Sequence, residues 1–237
     1  MRYLSLFSGV GGFEIGINNA YEHNQNREQE SFRERAVGDN LQRQGDKSSV
    51  MCDRSQPKKE QGHRICEWSC IGYSEIDKYA SAIYQHHFPT HHNYGDITLI
   101  NEKELPDFDL LVGGFPCQAF SIAGKRAGFA DTRGTLFFDI ARILKEKQPR
   151  LLVLENVKGL LSHDEGRTVK TIFATLDELG YDIQWQVLNS KNHGVPQNRE
   201  RIIIVGHLRG TSRPQVFPFI GTDRTDIKSG IHDPSDP

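Results

Sequence analysis

Along the chain, short apolar runs rich in β-branched and aromatic residues recur, and most are followed by a stretch whose apolar positions return every three or four residues. The runs fall at about 2–7 (RYLSLF), 70–75 (CIGYSE), 93–97, 109–113 (DLLVG), 151–155 (LLVLE), 182–188 (DIQWQVL) and 201–207 (RIIIVGH). Helical periodicity fits about 12–22, 77–87, 134–147 and 167–179; in the third segment Leu136, Ile140, Ile143 and Leu144 trace one face. Strand and helix alternate through the first five runs. That pattern predicts an α/β domain with a Rossmann-like, seven-stranded, mostly parallel sheet covered on both faces. The last two runs are joined across 189–200 without a helical pattern, which predicts an antiparallel pair at one edge.

Residues 24–68 interrupt this rhythm with a polar, mixed-charge stretch poor in apolar periodicity, which reads as an insertion, largely mobile. Its Cys52, His63 and Cys66, with the nearby Cys70, lack the paired C-x2-C spacing of a zinc site, so no metal is expected. Beyond about 210 the chain carries little pattern. With 36% hydrophobic and 25% charged residues, and no apolar run long enough for a membrane helix, the composition is that of a soluble protein. The amino terminus does not read as a signal peptide, which makes the cytoplasm the expected location. Four cysteines are too few for a disulfide scaffold at this length, so at least one is available as a free thiol. The net charge of −2 does not advertise a nucleic-acid binder; any such partner must be argued from local groups.

The candidate chemistry collects where strands end. The first strand runs into Phe7-Ser8-Gly9-Val10-Gly11-Gly12-Phe13 and a helix, a turn whose glycines let backbone approach a ligand closely. The second ends in Glu75-Ile76-Asp77, placing an acid where ribose hydroxyls could be held and an apolar side chain where an adenine could pack. The fourth ends in Gly113-Gly114-Phe115-Pro116-Cys117-Gln118-Ala119-Phe120-Ser121, a thiol on a glycine-flanked, proline-stiffened loop, which is a nucleophile's position. Glu155 closes an otherwise apolar strand, which is costly without a partner or a task. Arg199 and Arg201 lead into the last strand, where they could hold a phosphate or that glutamate.

Taken in order, the strings GFPCQAFSIAGKRAGFADTRGTLFFDIARIL, LENVKGLLSHDEG and NHGVPQNRERIIIVG closely resemble the DNA cytosine-5 methyltransferases. The likeness covers about 70–208 and the first 20 residues. It implies the S-adenosylmethionine-dependent methyltransferase fold, S-adenosylmethionine as cofactor and double-stranded DNA as partner. In that family's terms Cys117 is the nucleophile, Glu155 contacts the base, and Arg199 and Arg201 support the site. Phe7, Gly9, Gly11, Gly12, Glu75, Ile76, Asp96 and Ile97 line the cofactor pocket, with Pro116 beside it. Gln118, Ser121 and Arg133 belong to a loop that closes over a base swung out of the duplex.

Two departures modify the expectation. The family continues into a target-recognition domain and a last Gly-Asn motif, neither of which is legible after about 210. Residues 1–210 therefore read as a catalytic core and 211–237 as a tail leading towards a missing reader, supplied by a further part or a second subunit. The 24–68 insertion also widens the gap between Gly12 and Glu75 beyond the usual ~20 residues. A tRNA cytosine-5 methyltransferase and an inactive cofactor- or partner-binding remnant are the alternative readings.

Overall fold

The runs YLSL, LLV and LLVL contain no charge that folding would have to desolvate. In the computed structural model of the chain they lie side by side within a seven-stranded sheet. The structure describes residues 1–24, 26, 68–116, 136–212, 214–217 and 229–231. The strands are β1 (Arg2–Leu6), β2 (Ser69–Ser74), β3 (Leu110–Gly114), β4 (Leu151–Val157), β5 (Tyr181–Asn189), β6 (Glu200–Leu208) and β7 (Ser229–Ile231). The helices are α1 (12–24), α2 (Lys78–His87), α3 (Leu136–Lys147) and α4 (Arg167–Glu178). Across the sheet the order is β2-β1-β3-β4-β6-β5-β7. The pairings from β2 to β4 are parallel and those from β4 to β7 antiparallel.

The α/β class and the seven strands are as the pattern predicts, with three corrections. Residues 93–97 form no strand: Asn93 makes one bridge to Tyr73, Gly95 turns with φ +71°, and Asp96 caps a 3-10 turn over Ile97–Leu99 by accepting from the Thr98 amide at 2.9 Å. The seventh strand is instead β7, which the patternless tail concealed because three residues paired through backbone carry no alternation. The last two predicted strands do pair antiparallel towards one edge of the sheet, but they are not its outermost strands. β6 lies between β4 and β5, and β7 pairs with β5 on the far side.

The chain falls into two compact units, Met1–Phe13 with Ser69–Pro237, which holds the whole sheet, and Glu14–Trp68. The 24–68 insertion lies almost entirely outside the described residues, and with it Cys52, His63 and Cys66; Cys70 sits on β2. Within the sheet-bearing unit, Leu4 and Leu6 of β1, Leu111 of β3, Leu152 and Leu154 of β4, and Ile202 and Ile204 of β6 are fully buried. They form one core with Ile140 and Leu144 of α3 and Ile172 and Leu176 of α4, and each such side chain contributes about 1.5–3 kcal/mol of transfer energy. No helix among the described residues is long and apolar enough to cross a membrane.

Two local conformations matter for the site. β2 bulges between Cys70 and Gly72, so that Leu4 pairs with Gly72, whose φ is +149°. A Cβ there would lie 2.4 Å from the Tyr94 ring, so only glycine fits and the strand end carrying Glu75 is re-aimed. After β4, Asp164, Glu165 and Gly166 adopt three successive left-handed conformations (φ 52°, 56° and 82°), with Arg167 forking onto both acids. Left-handed backbone costs a non-glycine residue roughly 1–2 kcal/mol. The exposed ion pairs that accompany it return little in water. Glu165→Gly is therefore expected to raise stability by about 1 kcal/mol, read as a higher urea midpoint at unchanged slope; a lower midpoint would show that the Arg167 fork, not the backbone, dominates this turn.

Candidate active site

Four parallel strands end at the same edge of the sheet, and the antiparallel β6 begins there. Because β1 lies between β2 and β3, the chain leaves it towards opposite sides, which opens a crevice beyond its carboxyl end. Phe7, the first residue past β1, is half-buried against the core with φ +54°, a conformation an aromatic residue adopts only when its surroundings impose it. The turn that follows is pinned from two directions. The Gly9 amide donates to Glu75 Oε2 at 2.9 Å, and the Ser8 amide and hydroxyl both donate to the Ser74 carbonyl at 3.3 Å. Gly11, with φ +93°, rests on aromatic rings, since a Cβ would meet Phe88 at 2.8 Å and Tyr84 at 3.3 Å. Gly12 opens α1 with nothing within 4 Å of where its Cβ would stand, and the same is true of Gly9.

The facing wall begins at Glu75, whose second carboxylate oxygen accepts from the Asp77 amide at 2.8 Å. Ile76 projects beside it and is 74% exposed, an aliphatic surface largely open among the described residues. Asn93, which composition alone did not single out, joins the remaining pieces. Its Oδ1 accepts from the amides of Glu75 (3.3 Å) and Gly95 (2.8 Å), and its Nδ2 donates to the Glu75 carbonyl (3.1 Å) and to Ser81 Oγ (3.0 Å). Asp96 is thereby held on the same wall, half-buried. Ile97 differs from expectation: its side chain lies in the hydrophobic core at 2% exposure, so only its backbone remains for the crevice.

The other half of the site is built on β3, β4 and β6. Gly114 pairs with Glu155, and its missing Cβ would stand 3.0 Å from Glu155 Oε2, so the carboxylate lies directly over the strand that leads to Pro116 and Cys117. Glu155 Oε1 is held by Arg201 Nε at 2.6 Å, both side chains about one-quarter exposed. Arg201 also donates through Nη1 to the Glu200 carbonyl at 2.8 Å. This diagonal pairing is set by the β4/β6 register, in which Val157 faces Arg201 and Glu155 faces Ile203. Lys158, missed by the sequence reading, grips both Glu200 carboxylate oxygens at 2.7 and 2.8 Å. Asn156, buried, donates to the Phe115 carbonyl at 2.9 Å and so fixes the backbone that leads into Pro116. Arg199 is exposed in the turn before β6, its backbone amide bonded to Asn189 Oδ1. Pro116 is exposed at the end of β3. Cys117, Gln118, Ser121 and Arg133 lie outside the described residues.

Residues 59–232 match the family model of C-5 cytosine-specific DNA methylases. The chain belongs to this family. It is 52% identical over 223 residues to the type II methyltransferase M.NgoBV of Neisseria gonorrhoeae, a match that covers 91% of this chain and 43% of that protein. Against the type II methyltransferase M.HhaI of Haemophilus parahaemolyticus the figures are 51% over 140 residues, 59% of this chain and 42% of that one. An orphan methyltransferase of Bacillus phage rho11s shares 43% over 208 residues, 87% of this chain and 33% of its own. The chain thus spans less than half the length of these relatives. Among solved structures its fold matches DNMT2 of Spodoptera frugiperda with a TM-score of 0.58 at 20% identity, over 91% of this chain and 52% of that one.

The aromatic floor beneath the glycine turn contains a titratable group. Tyr84 stacks on Tyr73, its hydroxyl is 2.9 Å from His91 Nδ1, and the His91 ring stacks on Phe88, on which Gly11 rests. Burial pushes the His91 imidazole below its ordinary value of 6.5. The unfolded chain therefore takes up this proton first, so the contribution is fully present above the ordinary histidine range and is lost as pH falls through 6.5 towards the folded value. The thermal midpoint should drop between pH 7 and pH 5.5, and His91→Phe, which keeps the stack on Phe88, should flatten part of that slope; an unchanged slope would remove His91 from the account.

Proposed function

We propose that this chain is the catalytic core of an enzyme that transfers a methyl group from S-adenosylmethionine to C5 of cytosine in double-stranded DNA. The observation that carries the reading is the Glu155 carboxylate, fixed by Arg201 through one oxygen and set with the other over Gly114, three residues before Cys117. The second support is the crevice itself. Its open space at Gly9 and Gly12, the acid Glu75 and the exposed Ile76 fit a nucleoside with an apolar face and hydroxyl groups. Phe7, Gly9, Gly11, Gly12, Glu75, Ile76 and Asp96 would line this pocket, with the backbone at Ile97 and the ring of Pro116 at its margin.

Cytosine C5 is a weak nucleophile. By this reading the Cys117 thiolate adds to C6, which makes the ring an enamine whose C5 attacks an electrophilic carbon. The sulfonium of bound S-adenosylmethionine supplies that carbon as a methyl group. Glu155 meets N3 and shares a proton there, which stabilises charge developing on the ring, and Arg201 keeps the carboxylate aimed. Loss of the C5 proton to a base then expels the thiolate from C6 and restores the aromatic ring. A stacked base cannot reach such an edge, so the target is flipped out at a cost of a few kcal/mol, and the loop with Gln118, Ser121 and Arg133 closes on it.

We assign sequence choice to a further part, in the same polypeptide or in a second subunit, because this chain spans less than half the length of the relatives it matches. A restriction-modification or phage modification system is the setting we propose from the type II and orphan phage methyltransferases it resembles, with the cytoplasm as its location. Completed by that part, the protein should form a denaturation-resistant adduct with DNA containing 5-fluorocytosine in the presence of cofactor. Cys117→Ser should abolish both the adduct and methyl transfer, whereas Glu155→Gln should lower turnover by at least a hundredfold while cofactor still binds. An adduct that survives Cys117→Ser would overturn the proposal.

A further inference from the structure

The cofactor-side wall carrying Asp96 and Ile97 has no sheet ladder to hold it beyond one bridge at Asn93. Asn93 and Ser74 hold it at Gly95, and the rest of its support comes from a distant helix. Arg142, on α3 and about one-quarter exposed, donates through Nη2 to the Ile97 carbonyl at 2.5 Å and through Nη1 to the Ile100 carbonyl at 2.7 Å. The same Nη1 meets Glu102 Oε2 at 2.5 Å, and Nε meets Asp139 Oδ1 at 3.0 Å on the same helix. A planar guanidinium with five fixed donors can satisfy two carbonyls and two carboxylates at once; an ammonium cannot reproduce that fork. The carbonyls bonded to Arg142 are those at and just after the 3-10 turn; the Ile97 carbonyl also accepts from the Ile100 amide at 3.2 Å, so the guanidinium ties an already closed turn to α3.

From this arrangement we infer that Arg142 is a positioning residue for cofactor binding. It touches neither cofactor nor base, but it sets the turn that presents Asp96 and the Ile97 backbone to the crevice. Asp139 orients the guanidinium from one side and Glu102 from the other. The inference rests on the cofactor reading above and adds to it a residue outside the crevice. It also explains why a half-buried arginine stands with Asp139 among the apolar residues of the helix stretch FFDIARIL.

The test measures S-adenosylhomocysteine affinity of the full chain by calorimetry, for wild type, Arg142→Lys and a control. Arg209→Lys is the control, because Arg209 forks onto Asp177 and Asp182 at the other end of the sheet and its loss costs stability without touching the crevice wall. Arg142→Lys should raise Kd about tenfold and Arg209→Lys less than twofold at a comparable fall in thermal midpoint. Equal affinity of Arg142→Lys and wild type would overturn the inference. Equal weakening in both variants would reduce Arg142 to a general stabiliser and overturn it too. If Arg142→Lys does not fold, Glu102→Gln with Asp139→Asn leaves the arginine and the core in place. Faster hydrogen exchange at the Leu99 and Ile100 amides with several-fold weaker binding would support the assignment, and unchanged exchange and affinity would overturn it. Failure of the wild-type chain to bind S-adenosylhomocysteine would instead sink the cofactor reading, and the inference with it.

Discussion

The ion pair between Glu155 and Arg201 is the junction on which the site depends. It crosses from the last parallel strand to the first antiparallel one, so it joins the two halves of the sheet where their pairing changes sense. A carboxylate at the end of LLVLE would be costly left alone, and a guanidinium two residues into β6 equally so. Together they satisfy each other at 2.6 Å while one-quarter exposed. Removing one partner of such a pair costs more than the pair contributes, because the other is left partly desolvated. Just past the end of β4, Lys158 forms a second ion pair with Glu200, the first residue of β6. The guanidinium bond to the Glu200 carbonyl links the two. The carboxylate is thus oriented by a braced framework, which is what preorganised stabilisation of a developing charge requires.

The crevice on the other side is assembled by different means. Its floor is aromatic and its rim is a network of backbone groups held by Ser74, Glu75 and Asn93. Glu75 spends both oxygens on amides of the two walls, so it ties the glycine turn to the start of α2 while its position remains at the crevice. The left-handed Phe7, Gly9 and Gly11 are tolerated because Ser8 is anchored to Ser74 and Gly11 rests on Phe88. Local strain is here offset by neighbours that leave the turn no alternative.

How far the sequence discloses this depends on the kind of signal. Apolar periodicity gives β1, β3, β4, α3 and α4 within a residue or two, because burial on both faces leaves a continuous apolar run and burial on one face leaves a 3.6-residue stripe. Residues 93–97 mislead because Tyr94 and Ile97 are apolar for packing, while Gly95 and the Asp96 cap dictate a turn. β7 escapes because backbone pairing against Gln184–Gln186 has no side-chain signature. The sequence also suggests that one of the late arginines could meet Glu155, and Arg201 does, whereas Arg199 projects from the preceding turn. Asn93, Asn156, Lys158 and Arg142 remain hidden for one reason: each acts through hydrogen bonds to chain segments 18 to 45 residues away, and no local pattern records a partner at that distance.

Strand β4 shows how much the two-residue repeat of a pleat can accomplish. Glu155 and Asn156 are neighbours, so their side chains leave opposite faces of the sheet. Glu155 goes to the solvent-accessible side, over Gly114 and against Arg201. Asn156 goes into the interior, where a buried amide must find partners, and it finds the Phe115 carbonyl. Phe115 is itself locked between the core and Phe137, so the backbone that enters Pro116 is held from both sides. One strand end therefore fixes the acid and also the backbone that leads into Pro116. A shift of β4 by one register position would exchange the two, putting a carboxylate in the core and an amide in the crevice. The pairing of β4 with β3 on one side and β6 on the other, five and seven rungs long, is what forbids that shift.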